Sequence, residues 1–248
     1  MIKIENLFYS PVKSISFTNS DSLNVLKDKG IENDRIFAFV QNMDSSKIKD
    51  LIEDPKSRKL NNFITLKNTP ELNKYNFTYM TNKLVLKKQD EIIISINPFS
   101  ENEKKLLCEK INQIIIKDKT LNFLMDEQNP FFDTMPDNSI SLINKKSISD
   151  FSLKISTNIE FERFRANIYI DGLDAWDERK WIGKTIHINN IEFFVSNEIP
   201  RCSATNLKPS TDMVTINLPS QLKKTYDHIN MGLYLVPQQN GFISKGDK

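Results

Sequence analysis

Cys202 is the residue whose type and setting point first to chemistry. It lies in Ile199-Pro200-Arg201-Cys202-Ser203-Ala204-Thr205-Asn206-Leu207-Lys208-Pro209, with an arginine beside it. A neighbouring guanidinium favours the thiolate over the thiol. A thiolate serves either as a ligand for a soft metal or as a nucleophile. Pro200 removes a backbone donor, so the thiol is expected on a defined turn rather than inside a ladder. The other cysteine, Cys108, follows the capping-box sequence Ser100-Glu101-Asn102-Glu103 and lies beside a helical stripe of Leu107, Ile111, Ile114 and Ile115. It reads as a buried helix thiol without chemistry. His187 falls in a strand pattern and His228 after a helix; neither has ligand spacing, and two histidines are too few for a histidine-based zinc site. GxGxxG, P-loop, HExxH and CxxC patterns are all missing.

The remaining candidates are polar residues in or beside apolar strand patterns: Lys13 with Ser14, Arg35, Ser139 with Ser141, Arg163 with Arg165, Asn167, and Arg201 with Cys202. Residues 160–170 are rich in aromatic and β-branched side chains and read as a strand. In a strand, i and i+2 share a face, so Arg163, Arg165 and Asn167 are expected to point the same way. Such a face is too polar for a core unless it meets an anionic or multi-acceptor ligand, although each arginine taken alone reads as a surface salt bridge. Arginine, lysine and hydroxyl donors suit phosphate. Together with a thiolate they read as a pocket for a phosphorylated cofactor carrying a soft metal.

The elements that must position these residues are mostly strands. Alternation or β-rich composition predicts strands over 1–9, 22–27, 36–40, 63–67, 83–88, 91–96, 138–143, 184–196, 211–216 and 233–236, the stretch 184–196 being a hairpin around Asn189-Asn190. Helices are expected after Ser100, over 219–226 with Pro219 at the start, and in shorter form over 47–53 and from Ser147, with a loop over 126–138. The fold class is α+β and strand-rich, a β-barrel core with an N-terminal β-barrel-like subdomain and a few short helices. The 248 residues divide into an N-terminal domain over 1–100 and a second over 101–248. With 34 basic and 32 acidic residues the charge is too balanced for a nucleic-acid binder. No run spans a bilayer and no secretory signal is visible. Two distant cysteines fit a reducing, cytoplasmic setting.

At these residues the sequence resembles the MOSC family (molybdenum cofactor sulfurase C-terminal domain) with its N-terminal β-barrel domain, and within it the branch of the mitochondrial amidoxime-reducing component and its bacterial counterparts. The resemblance is carried by Tyr9-Ser10-Pro11-Val12-Lys13-Ser14, Asn33-Asp34-Arg35, Arg163-Phe164-Arg165-Ala166-Asn167-Ile168 with Asp171-Gly172, Trp181-Ile182-Gly183, Pro200-Arg201-Cys202 through Thr205, and Lys245-Gly246-Asp247. It implies a molybdenum cofactor (molybdopterin) whose metal takes Cys202 as its protein ligand. It implies that Lys13, Ser14 and Arg35 hold the pterin phosphate, with Ser139, Ser141, Arg165, Asn167 and Arg201 near the cofactor. The activity implied is reduction of N-hydroxylated small molecules, with electrons from a separate donor protein. A non-catalytic cofactor carrier or sulfur-transfer protein is the alternative, and a metal-free binding module with a structural Cys202 is a third. Ala166 stands where the family often has proline and Lys208 where it often has an acidic residue, so the substrate pocket is expected to differ.

Overall fold

The computed structural model of the chain describes residues 1–15, 17–117, 119–132 and 138–248. Pro136, expected in the loop over 126–138, lies outside them. The chain opens with β1 (Lys3–Tyr9), β2 (Thr18–Ser20), β3 (Ser22–Leu26), β4 (Gly30–Ile31) and β5 (Phe37–Gln41). Helix α1 (Ser45–Glu53) follows, capped by the Asp44 side chain on the Lys47 N–H. The meander β6 (Asn76–Met80), β7 (Lys83–Lys88) and β8 (Glu91–Ile96) leads into α2 (Glu101–Ile111) and β9 (Leu121–Met125). Then come β10 (Ile140–Asn144), α3 (Lys145–Lys154), β11 (Ile168–Asp171), β12 (Thr185–Ile188), β13 (Ile191–Pro200), α4 (Leu218–Tyr226), β14 (Asn230–Pro237) and β15 (Gly241–Ser244). Among the described residues no helix is long and apolar enough to cross a membrane.

The fold is α+β and strand-rich. Its largest sheet has the order β12-β13-β14-β10-β11-β1-β2, and β10 with β11 is its one parallel pair among the described residues, joined through α3. Smaller sheets are β15-β3-β4, β5-β9 and β6-β7-β8. The expected barrel closure is absent from these ladders: among the described residues no ladder joins β2 to β12. Those outer strands have three and four residues, too few positions to close a cylinder. N-terminal strands share ladders with the later part of the chain, β1 with β11 and β3 with β15. Ile4, Leu7, Leu142, Ile168, Leu233 and Leu235 pack on one face of the large sheet, while Phe37, Phe39, Phe77, Leu107 and Ile111 fill a second core.

Several local expectations change for physical reasons. Ser100 accepts from the Glu103 N–H (3.4 Å), but Glu103 reaches past the cap to the Asn97 N–H (2.8 Å), so the box is only half formed. Residues 63–67 contribute one isolated bridge, Val40 to Phe63, because Asn68 folds them into a turn: it accepts from the Thr65 N–H (2.8 Å) and donates to the Phe63 carbonyl (3.1 Å). Residues 211–216 likewise hold only the bridge Leu207 to Val214. The strand over 160–170 is also corrected. Phe161–Phe164 form a 3-10 turn, Arg165 takes the left-handed conformation (φ 52°), and extended structure begins only at Ile168. The Tyr169 hydroxyl holds this shape, accepting from the Ala166 N–H (3.0 Å) and donating to the Phe161 carbonyl (2.9 Å).

Candidate functional site

Strand β13 ends at Pro200, and the Arg201 N–H closes on the Ile229 carbonyl (2.9 Å). Cys202 then caps a short 3-10 turn, Ser203–Asn206, with its carbonyl accepting from the Thr205 N–H (3.1 Å) and hydroxyl (2.8 Å). This matches the expected defined turn, and it leaves the thiol exposed. Two buried arginines pin the loop from beneath. Arg201 donates to the Phe164 carbonyl (2.8 Å) and, from Nε (2.8 Å) and Nη2, to the Met231 carbonyl. Arg163 donates to Glu160 (2.6 Å), the Asn206 carbonyl (3.0 Å) and the Thr215 hydroxyl (2.8 Å). Charged donors satisfying several carbonyls are among the stronger hydrogen bonds in a protein. Arg163 therefore does not share a strand face with Arg165 and Asn167. Burial drives the Arg201 pKa down, opposed by Tyr234, Tyr169 and Cys202.

The other half of the site gathers at one end of three neighbouring strands. Parallel β10 and β11 start there and antiparallel β1 finishes there. Ser139 and Ser141 lie at the start of β10, Arg165 and Asn167 just before β11, and Lys13 and Ser14 just after β1. The Ser141 hydroxyl donates to Asn167 Oδ1 (2.7 Å) and accepts the Asn167 N–H (2.9 Å), locking the two strand starts together. Lys13 is buried, its Nζ donating to the Phe131 carbonyl (2.8 Å) and lying 5.1 Å from the Phe63 ring centroid. Asp34, which sequence reasoning did not single out as a site residue, ties the parts together. It accepts from the Ser10 N–H (2.6 Å), pairs with the Arg35 guanidinium and faces Asn167 Nδ2 (3.5 Å). Burial raises its pKa, against the Arg35 charge and the Ser10 N–H. Ser14, Arg35 and Arg165 all have positive φ (63°, 57° and 52°), a backbone state that costs non-glycine residues energy and clusters at functional sites.

Lys13, Ser14, Arg35, Ser139 and Ser141 line a cavity of ≈ 350 Å³ that is also lined by Arg165, Asn167, Arg201 and Cys202. Among the described residues no aspartate, glutamate or histidine contributes to the lining. Burial, and then the charge of Arg35, push Arg165 down to about 9. Guanidiniums held this close favour an anion between them. The Ser139 hydroxyl is buried, faces this cavity and has no hydrogen-bond partner among the described residues. A polar atom left so costs free energy unless a ligand completes it. The donor set thus fits a phosphate-bearing group. Among the described residues no cluster of three His, Cys, Asp or Glu side chains is placed to hold an ion. A metal at Cys202 would therefore bring its other ligands with it.

Sequence reasoning missed one wall of the cavity, Leu60, Thr65, Leu66 and Lys67, together with Tyr234. No local signal marks residues 60–67, whose pattern resembles a strand. A second concavity of ≈ 380 Å³ adjoins Cys108 between α2 and β9. Cys108 is half-buried rather than buried as expected; burial nevertheless pushes that thiol up to about 12, so it stays protonated.

Comparison with known proteins gives three kinds of likeness. The model of the MOSC domain matches residues 130–248. Mitochondrial amidoxime reducing component 2 is similar in part: 30% identity over 35% of this chain for the rat protein (Rattus norvegicus), and 32% over 37% for that of Macaca fascicularis. The human protein shows 27% identity over 34%. The matches span about a quarter of those relatives' length, 25%, 27% and 25% respectively. A crystal structure of the YuaD protein from Bacillus subtilis aligns over 100% of this chain and 93% of its own, at TM-score 0.46 and 14% identity.

Proposed function

Taking residues 130–248 as a MOSC domain, we propose that the chain binds a molybdenum-bearing pterin cofactor and reduces N-hydroxylated small molecules. One observation carries the proposal: an exposed thiol opens onto a cavity that, among the described residues, is lined by six cationic side chains and no carboxylate. The cofactor would supply the two-electron redox chemistry that the side chains lack. Cys202 supplies the soft sulfur ligand. Arg201 and Arg163 do not bind the group in this reading; they fix the cysteine loop through backbone carbonyls. Lys13, Ser14, Arg35 and Arg165 favour the anionic tail, and the Ser139 hydroxyl finds its missing partner there. Ser141 and Asn167 hold the strand starts in register with the site. Residues 1–100 act in this proposal as the N-terminal companion domain, contributing Lys13, Ser14, Arg35 and the 60–67 wall.

Overall, an N–O bond breaks, the nitrogen keeps a proton in place of oxygen, and water leaves with two electrons and two protons consumed. The electrons come from a separate donor protein. The test is metal analysis of the chain and of Cys202→Ala, each expressed in a host that makes molybdenum cofactor. Turnover of benzamidoxime with reduced methyl viologen is then measured on the loaded protein. Near-stoichiometric molybdenum in the first chain, little in the variant, and release of benzamidine support the proposal. Molybdenum without turnover moves the reading to a cofactor carrier, and no molybdenum in either overturns it.

A further inference from the structure

Cations around the cavity are not equivalent. Lys13 is held by the Phe131 carbonyl, Arg35 by Asp34, Arg163 by Glu160 and Arg201 by two backbone carbonyls. Arg165 lies 4.6 Å from the Phe17 ring centroid. Lys67 is the exception: it is exposed and has no hydrogen bond or ion pair among the described residues.

Its backbone, by contrast, is fixed. Besides the two Asn68 side-chain contacts that fold the 65–69 turn, the Thr69 N–H donates to the Thr65 carbonyl (2.8 Å). The next segment, Pro70–Lys74, is stapled to the continuation of the cysteine loop. Asn73 Nδ2 donates to the Lys208 (2.9 Å) and Thr211 (2.7 Å) carbonyls, and Lys74 pairs with Asp212 (2.5 Å). A rigid turn thus presents to the cavity that Cys202 opens onto an ammonium that is unpaired among the described residues. Leu60, Leu66 and Ala204 complete that side with apolar surface.

We infer that Lys67 selects substrates that carry a carboxylate or another anionic group on an apolar body, with the anion on the ammonium and the N–OH end toward Cys202. The inference rests on the proposed function and names the substrate class of that site. A small molecule fits better than an acidic protein, because Lys67 lines the cavity itself. A strongly hydrated exposed ammonium gives a modest preference, about three- to fivefold, weakened by salt.

The test compares benzamidoxime with 4-carboxybenzamidoxime on molybdenum-loaded protein, with reduced methyl viologen as reductant so that no protein partner enters. The ratio of kcat/KM for the anionic over the neutral compound is measured for the wild-type chain, Lys67→Ala, Lys67→Glu and Lys67→Arg. The ratio should fall about three- to fivefold in Lys67→Ala, through KM rather than kcat. It should fall further in Lys67→Glu and persist in Lys67→Arg. Calorimetric titration of the two compounds should show the same order in affinity. An unchanged ratio and affinity in Lys67→Ala overturns the inference, as does loss of molybdenum from that variant, which would place Lys67 on the cofactor. An absence of molybdenum, or of benzamidoxime turnover, in the wild-type chain fails the function itself and is seen before any ratio is compared. If donor-protein kinetics alone respond to Lys67, the rim is a protein-docking surface and the substrate inference is wrong.

Discussion

Replacing Gly232 by alanine tests how the cysteine loop is held. Gly232 lies in β14 with φ +83°, a conformation that costs a residue with a Cβ about 1–2 kcal/mol. A Cβ there would sit 2.5 Å from both Ile143 Cγ1 and the Leu142 carbonyl oxygen, and 3.2 Å from Arg201 Nη2. The carbonyl belongs to the neighbouring strand β10 and cannot swing away, so the overlap adds the usual cost of overpacking, about 1–3 kcal/mol. The total is about 2–5 kcal/mol. Gly183 separates the two contributions: its φ is +76°, but nothing lies within 4 Å of the point a Cβ would occupy. Alanine there should cost the conformational part alone, about 1–2 kcal/mol. Equilibrium urea denaturation of the full chain reads both. With an m-value of about 3 kcal/mol/M, Gly232→Ala lowers the midpoint by roughly 1–2 M and Gly183→Ala by roughly half a molar. Since the added methyl also crowds the Arg201 fork, Gly232→Ala should retain less molybdenum than Gly183→Ala. Equal midpoint shifts for the two variants would refute the reasoning.

Three further outcomes are expected. Ser139→Ala removes a buried hydroxyl without a partner among the described residues, so it should stabilise the cofactor-free chain by about 1 kcal/mol while lowering its molybdenum content; a destabilised variant would mean that the hydroxyl is satisfied in the free protein. Thiol titration at pH 8 should find about one fast-reacting cysteine in the folded chain and two after denaturation, since Cys108 near 12 is almost wholly protonated. Two fast thiols in the native protein would contradict that protonation. His228 is shifted below its ordinary value by burial and by Arg179, against Glu198 and Asp227, with Lys223 adding to the lowering. The unfolded chain therefore takes up that proton first as pH falls. Its contribution to stability is complete above about 6.5 and declines as pH drops toward the folded value. Melting temperatures between pH 5 and 7.5 should fall less steeply in His228→Gln than in wild type, and parallel curves would dismiss the shift.

What the sequence disclosed followed the range of the forces involved. The turn at Asn189-Asn190, the proline-started α4 and strands β7 and β8 are encoded within a few residues, and they stand where local pattern puts them. Segments 160–170 and 63–67 have strand-like composition, yet the Tyr169 hydroxyl and the Asn68 amide fold them into turns. Side-chain direction was hardest to read. Arg163 and Arg165 are two positions apart, but Arg163 is claimed by Asn206 and Thr215, and no local rule reports partners 43 and 52 residues away. Asp34 was visible only as part of a motif. Its importance comes from joining Ser10, Arg35 and Asn167, which meet only in the folded chain. The 60–67 wall carries no chemical signature of its own, since what it contributes is shape and one ammonium.

The placement of β1 between β2 and β11 sets a timetable for synthesis. After Lys3–Tyr9 is made, β2 follows at once, but the partner on its other side begins only at Ile168. At roughly 5–20 residues per second, that interval lasts roughly 10–30 s. Throughout it, one edge of a strand carrying Ile4 and Leu7, both destined for the core, stays open to any other extended chain. Yield in a producing cell is then governed by what shelters Lys3–Tyr9 during those seconds, and slower translation lengthens the period in which two nascent copies can pair with each other instead.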